Sequence, residues 1–78
     1  MKDRYKIGMT VNGHSGVAEI AWIPDNKYNV AHYAVLITVP FKNLRWEHLH
    51  ICDKNRLEDA IERAKEYLQL ELQRCTLV

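Results

Sequence analysis

The chain of 78 residues has few of the residues that staple or break up small folds: two cysteines, two prolines and three glycines. Cys52 and Cys75 are too few for the disulfide framework of a small secreted domain. We therefore expect a reducing, cytoplasmic setting in which both thiols are small apolar filler, with a disulfide or a metal or redox role as the alternatives. A Gly-rich phosphate-binding loop is not expected either, because Gly8, Gly13 and Gly16 fall in or around one hairpin.

Neither sign of charge is in excess, since Lys and Arg number 11 and Asp and Glu number 10. A dedicated duplex-DNA binder usually carries a clear basic excess, so this balance disfavours that class. Long hydrophobic runs are also missing. No apolar stretch follows the initial MKDR and no segment approaches the length of a membrane span, so we expect neither a signal peptide nor a membrane partner.

Motifs for catalysis or metal binding are scarce. Ser15 falls in a hairpin turn, and the cysteines lack a plausible His–acid arrangement. In a predicted strand His48 and His50 would lie about 6.6 Å apart, a spacing at which two imidazoles can bind one metal ion. His32 is the candidate third ligand. An H-x-H pair arises easily by chance and no Cys-x-x-Cys or H-E-x-x-H accompanies it. We therefore predict that the protein is not an enzyme and has no metal or cofactor.

The clearest pattern in the chain is an amphipathic helix over residues 55–75. Either Asp53 or Asn55 is expected to cap the helix, and Asn55 with Glu58 three residues later resembles a capping box. A helix of this length spans about 31 Å, whereas strands of seven residues span about 23 Å. We therefore expect its last turn and a half to overhang the sheet. The apolar residues that share one stripe of the helix are Leu57, Ala60, Ile61, Ala64, Leu68, Leu72 and Cys75.

The residues before the helix alternate between apolar and polar, which predicts strands. Pro24 ends the second strand and Pro40 the third, and a loop over residues 41–45 precedes the fourth. The third strand is apolar on both faces, which indicates a central strand or one whose second face meets a partner. The predicted fold is a single α+β domain over residues 1–78, a four-stranded antiparallel meander (β-β-β-β-α) with one long C-terminal helix packed on one face. The predicted strands are residues 5–11, 17–23, 30–39 and 46–52.

The first hairpin allows two registers. If the turn is the two residues Asn12-Gly13, Ile7 lies opposite Ala18. If the loop extends to Ser15, Met9 lies opposite Ala18 instead. Both registers keep the apolar residues of the two strands on one face, whereas a shift by one residue would place a glutamate in the core.

One helix covers only one face of such a sheet and leaves the other open. The open face is predicted to carry apolar residues among polar ones, and contiguous patches of this kind mark interaction surfaces. The alternative is that Leu36 and Trp46 are scattered surface apolar residues, which folded proteins carry routinely. The helix overhang, the outward-pointing Leu70 and the apolar residues 77–78 further suggest contact with a second copy of the chain.

From these patterns we predict a small non-enzymatic protein–protein interaction module and a homodimer. Chains this small often act as inhibitors or adaptors, including those that phages and other mobile elements encode. Binding hot spots favour Trp and Arg, which places Trp46 and Arg45 first. The predicted partner-binding residues are Trp46, Arg45, Leu36, His48, His50 and Leu70.

Single-stranded nucleic-acid binding is the second hypothesis. Lys42, Arg45 and Trp46 form a basic-aromatic run beside an open antiparallel sheet, where an aromatic ring can stack on bases and cations can bind phosphate. The β-β-β-β-α order is also that of the transcriptional-coactivator and Whirly types of single-stranded-DNA-binding fold, an analogy of topology with no motif matched. The near-neutral charge favours the protein partner.

Overall fold

The computed structural model describes residues 4–40 and 42–75, with Asn43 described by its backbone alone. All strand pairs are antiparallel; β1, β2 and β3 follow chain order, and β4 and β5 both pair with β3. The predicted fold class, an α+β chain with a four-stranded antiparallel sheet followed by one helix, is confirmed. The elements are β1 (Arg4–Val11), β2 (His14–Ile23), β3 (His32–Val39), β4 (Lys42–Asn43), β5 (Glu47–His48) and α1 (Leu57–Cys75).

The first hairpin takes the tighter of the two predicted registers. Asn12 and Gly13 have φ angles of 50° and 82°, the left-handed values that a two-residue type I′ turn requires. Ile7 accordingly pairs with Ala18. β2 therefore begins directly after the turn, at His14, and is longer than the sequence pattern predicted.

α1 lies mainly over β2 and buries one stripe of its surface against the sheet. Its fully buried residues, Ala60, Ala64, Leu68 and Leu72, recur every four positions as predicted. The helix begins at Leu57, so both predicted caps are wrong: Asp53 and Asn55 lie ahead of the N-cap position. The residues from β1, β2 and β3 that complete this core include Ile7, Ala18, Ile20, Val35, Ile37 and Val39.

The predicted overhang of the helix is also wrong. Leu72, in the last turn, is fully buried. A Cβ built on Gly16 would lie 2.9 Å from Leu68 Cδ1 and 3.1 Å from Leu72 Cδ2, so these leucines pack directly on the β2 backbone. The helix stays on the sheet because β2 extends back to His14. Residues 77–78, the apolar end of the chain, lie outside the described residues.

The fourth strand is not the continuous segment over residues 46–52 that the sequence predicted. It consists of β4 and β5, with residues 44–46 between them. Beyond β5 the chain bulges at His50, whose φ is 60°. The Leu49 N–H still donates to Tyr33 O (3.0 Å), but the Tyr33 N–H donates to Ile51 O (2.9 Å) and not to Leu49 O. Phe41, in the predicted loop, lies outside the described residues.

Tyr33 also holds the connection from β5 to α1 through its side chain. Its hydroxyl donates a short hydrogen bond to Lys54 O, just ahead of the helix. Leu49 and Ile51 are buried on the α1 side of the sheet, but Cys52 is exposed. The prediction that both thiols fill apolar space is therefore wrong for Cys52, while Cys75 packs at the edge of the core.

In the part of the chain that the structure describes, no helix has the length and apolar character that crossing a bilayer requires.

Candidate interaction surface on the open face of the sheet

The open face is the side of the sheet opposite α1. Side chains alternate along a strand, so the residues between the core positions of each strand lie here. Charged residues come from β1 and β2, apolar residues from β2 and β3, and histidines from β3 and β5. The open face includes Arg4, Lys6, Val17, Glu19, Ala21, Ile23, His32, Ala34, Leu36 and His48.

Trp46 extends across this face towards Arg4. The register places Arg4, Ala21, Ala34 and His48 in one row across the four strands. The row spans about 14 Å at ordinary strand spacing, yet the Arg4 guanidinium lies only 5.8 Å from the Trp46 ring centroid. The two long side chains therefore reach towards each other over the two small ones. Ala21 and Ala34 are each only 4% exposed, although α1 covers the other face.

The open face is thus less exposed than expected for a sheet covered by one helix, because the indole of Trp46 covers part of it. Trp46 itself is 40% exposed. A cation over an exposed aromatic ring contributes about 0.5–1 kcal/mol, and Arg4 is further oriented by Glu19, whose Oε1 lies 3.4 Å from its Nη1. Next to Glu19 in the sheet, Leu36 is half-buried.

Three imidazoles stack at the end of this face, and we call them the histidine column: His32, His48 and His50. The His32 and His48 ring centroids lie 3.8 Å apart with planes inclined by 8°. The His48 and His50 centroids lie 4.6 Å apart at 20°. His32, at the inner end, is 8% exposed. The stack forms because the bulge turns the chain back at His50.

Two hydrogen bonds set where the protons lie in the column. His32 Nδ1 is 2.8 Å from Val30 O; since a carbonyl only accepts, this nitrogen carries a hydrogen. His48 Nδ1 accepts from the His50 N–H at 2.7 Å, so it carries none, and the neutral ring is protonated at Nε2. Loss of solvent around the ring, and then the neighbouring His32 and His50, lower the pKa of His48 below its ordinary value.

The stacked geometry differs from the strand geometry that suggested a metal pair. His48 and His50 do not lie side by side on one strand face, because His50 is outside the strand and its ring lies against that of His48. Over residues 4–40 and 42–75, no group of three or more His, Cys, Asp or Glu side chains is arranged to hold a metal ion.

The structure brings together only some of the predicted binding residues. Trp46, Leu36 and the two histidines share the open face, and the exposed Arg45 adjoins Trp46 in the segment between β4 and β5. Leu70 is 51% exposed, but on α1, on the other side of the molecule. Lys42 also turns to that side, where its Nζ lies 3.0 Å from Glu71 Oε2.

Sequence reasoning missed Arg4 and treated His32 only as a possible metal ligand. The signal for Arg4 was available: in the tighter hairpin register Arg4 lies opposite Ala21, and Ala21 and Ala34 are too small to fill the sheet surface. Nothing in the sequence placed His32 in a stack, because the stack depends on the left-handed turn at His50.

The fold defines a small α+β protein, an antiparallel sheet with one helix on one face and a partly apolar open face. Comparison of the chain with family models, with curated proteins and with solved structures found no match.

Proposed function

We propose that the protein is a small, non-enzymatic, cytoplasmic protein–protein interaction module, an inhibitor or adaptor, that binds its partner through the open face. The observation that carries the proposal is the placement of Trp46. Its ring lies out over the sheet against Arg4, 40% exposed, where a partner can cover it. Tryptophan and arginine are the residues most enriched at binding hot spots.

The surroundings of Trp46 support this proposal. A side chain already held in its bound position loses little conformational freedom on association, which favours affinity. Val17 is exposed on the same face and Leu36 is half-buried there, which adds apolar area to the open face. Arg4 and Glu19 supply the polar contacts typical of an interface rim.

Exchange of Trp46 tests the proposal. Immobilised wild-type protein and the Trp46→Ala variant are incubated with extract of the native host, and captured proteins are quantified by mass spectrometry. Tyr28→Ala is the matched control, because Tyr28 is an aromatic residue 80% exposed in the loop between β2 and β3. We expect a protein retained by the wild type and the control but lost with Trp46→Ala. The same captured set for all three chains would overturn the proposal.

Self-association is the second part of the proposal, with Leu70 as a separate contact on α1. Sedimentation at micromolar concentration is expected to give a mass near twice 9.2 kDa. If α1 forms the contact, Leu70→Ala gives a monomer and Trp46→Ala does not; the reverse assigns it to the open face. A monomeric wild-type chain at these concentrations would remove the homodimer from the proposal.

Single-stranded nucleic-acid binding is the competing function, and the geometry supports it less well. Lys42 is ion-paired with Glu71 on the α1 side, so it cannot share a strand of nucleic acid with Trp46 on the open face without breaking that pair. Titration with a fluorescent oligonucleotide distinguishes the two functions. Binding that weakens steeply with salt and is lost in Trp46→Ala would favour nucleic acid; no binding at low salt would exclude it.

A further inference from the structure

The histidine column lies where the sheet passes into the connection that leads to α1. His50 has a left-handed backbone with φ of 60°, which residues other than glycine seldom adopt. This turn is supported by the hydrogen bond from the His50 N–H to the ring of His48, two residues earlier. The arrangement corresponds to an Asx turn, with an imidazole nitrogen in place of the side-chain oxygen.

We propose that the histidine column is an acid-sensitive latch: a proton bound at His48 Nδ1 removes the acceptor for the His50 N–H and releases the turn at His50. At neutral pH the nitrogen is free to accept and the latch is closed. The latch stands on the column's own geometry, independently of the function proposed above.

The neighbours of His48 oppose a charge on its ring. His32 lies 3.8 Å away on one side and His50 4.6 Å away on the other, so a proton on His48 faces two further basic rings. His32 is held in place by its hydrogen bond to Val30 O and is largely buried, so it cannot turn away. A charge on His48 therefore disfavours the stacked arrangement of the column.

The charged groups on the neighbouring elements do not offset this effect. Arg4 of β1 and Glu19 of β2 pair with each other on the open face. Glu47 of β5 pairs in register with Val35, a core residue. Its side chain therefore lies on the side of the sheet opposite to His48. Arg63 of α1 contacts the connection from the core side, at Leu49 O. Within the described residues, the charges that act on the pKa of His48 are those of His32 and His50.

The release is expected to be local. The Leu49 N–H to Tyr33 O bond and the Arg63 to Leu49 O bond lie on the β5 side of the turn and do not involve the imidazoles. The Tyr33 N–H to Ile51 O bond lies beyond the turn and depends on its shape. Acid should therefore expose the amides of His50 and Tyr33 while the rest of the sheet stays paired.

Amide hydrogen exchange on the wild-type chain, corrected for the intrinsic rates, is the primary measurement. As the pH falls from about 7.5 to about 5, the exchange protection of the His50 and Tyr33 amides should fall. The fall should be at most about tenfold per pH unit, over the range between the pKa of His48 with the latch closed and its pKa with the latch open. Amides at the centre of β2 should keep their protection. Nitrogen-15 spectra of the ring should show Nδ1 of His48 unprotonated at neutral pH and gaining its proton over the same interval.

The His48→Asn variant tests the cause. Asparagine supplies an oxygen acceptor to the N–H two residues on and does not titrate, so His50 should stay protected at all these pH values. His14→Asn is the matched control, because His14 lies next to the first hairpin turn, at the end of β2 far from the histidine column. This variant should keep the wild-type response.

Two results would overturn the latch. One is a wild-type His48 ring that titrates while the protection of the His50 amide stays constant. The other is a His48→Asn chain that keeps the full pH response. The first needs no variant, so the proposal stays testable if His48→Asn does not fold.

Discussion

The guanidinium of Arg63 donates a 2.9 Å hydrogen bond to the main-chain carbonyl of Leu49. In a regular antiparallel ladder that carbonyl would accept from the Tyr33 N–H, but the bulge at His50 sends this N–H to Ile51 O. A side chain of α1 thus replaces the backbone donor that the fourth strand has lost. The helix completes the hydrogen bonding of the sheet as well as covering its apolar face.

Removing this donor should destabilise the fold. Arg63→Ala leaves the partly buried Leu49 carbonyl without its charged partner, and we expect the free energy of unfolding to fall by about 1–3 kcal/mol in urea titrations. Arg74→Ala is the control, because Arg74 makes an exposed helical pair with Glu71 and should change stability by less than about 0.5 kcal/mol. Equal losses for the two variants would mean that the Leu49 contact has no special role.

Gly16 is expected to tolerate no side chain. An added Cβ would lie 2.9 Å from Leu68 Cδ1 and 3.0 Å from Thr38 O, and the second of these is backbone. Gly16→Ala should therefore cost about 1–3 kcal/mol in urea unfolding. At Gly8 a Cβ meets nothing within 4 Å, so Gly8→Ala should leave stability unchanged or slightly raised. A neutral Gly16→Ala would show that α1 does not approach β2 so closely.

Truncation of two leucines of α1 should change stability by very different amounts. Leu68 is fully buried between the helix and β2, and Leu68→Ala should cost about 2–5 kcal/mol because it leaves a cavity. Leu70 is half exposed, and Leu70→Ala should stay within about 0.5 kcal/mol for the monomer. The stability of both variants is measured by chemical denaturation at low protein concentration. Similar losses of stability would contradict the placement of Leu68 on the buried face of α1 and of Leu70 on its exposed face.

Acidification should weaken the fold through His48. Its pKa is lowered in the folded chain, chiefly by desolvation and then by His32 and His50, from the ordinary value of 6.5. Above that value the ring is neutral in both states and its contribution is complete. As the pH falls below it, the unfolded chain binds the proton first, so stability declines until the folded ring also titrates. Urea titrations over this interval should show that the free energy of unfolding depends less on pH in His48→Asn than in the wild type. The same pH dependence in both chains would refute the role given to His48.

Much of the fold follows from local pattern. The Asn12-Gly13 turn and the alternation on both sides of it restricted the first hairpin to two registers, and the observed one places Ile7 opposite Ala18. The four-residue spacing of Ala60 and Ala64 marked the buried stripe of α1. These signals are available because each depends on neighbours close in the chain.

Three features that sequence reasoning missed depend on partners distant in the chain. The bulge after β5 is stable because Arg63 satisfies Leu49 O, and no local pattern contains both residues. The predicted overhang of α1 rests on a second strand that begins at residue 17, whereas β2 begins at His14 and carries Gly16 beneath Leu68. The contact of Trp46 with Arg4 joins opposite edges of the sheet.

Tyr33 holds the route into α1 with its amide, its carbonyl and its hydroxyl, which bind Ile51, Leu49 and Lys54 respectively. A residue of β3, an internal strand, thus anchors the connection to the helix, and α1 cannot detach without disturbing β3. Sheet and helix consequently form one cooperative unit in place of two successive foldons. Amides of α1 from Ala60 onwards, the first to bond within the helix, should then exchange only through the same global opening that exposes the centre of β3.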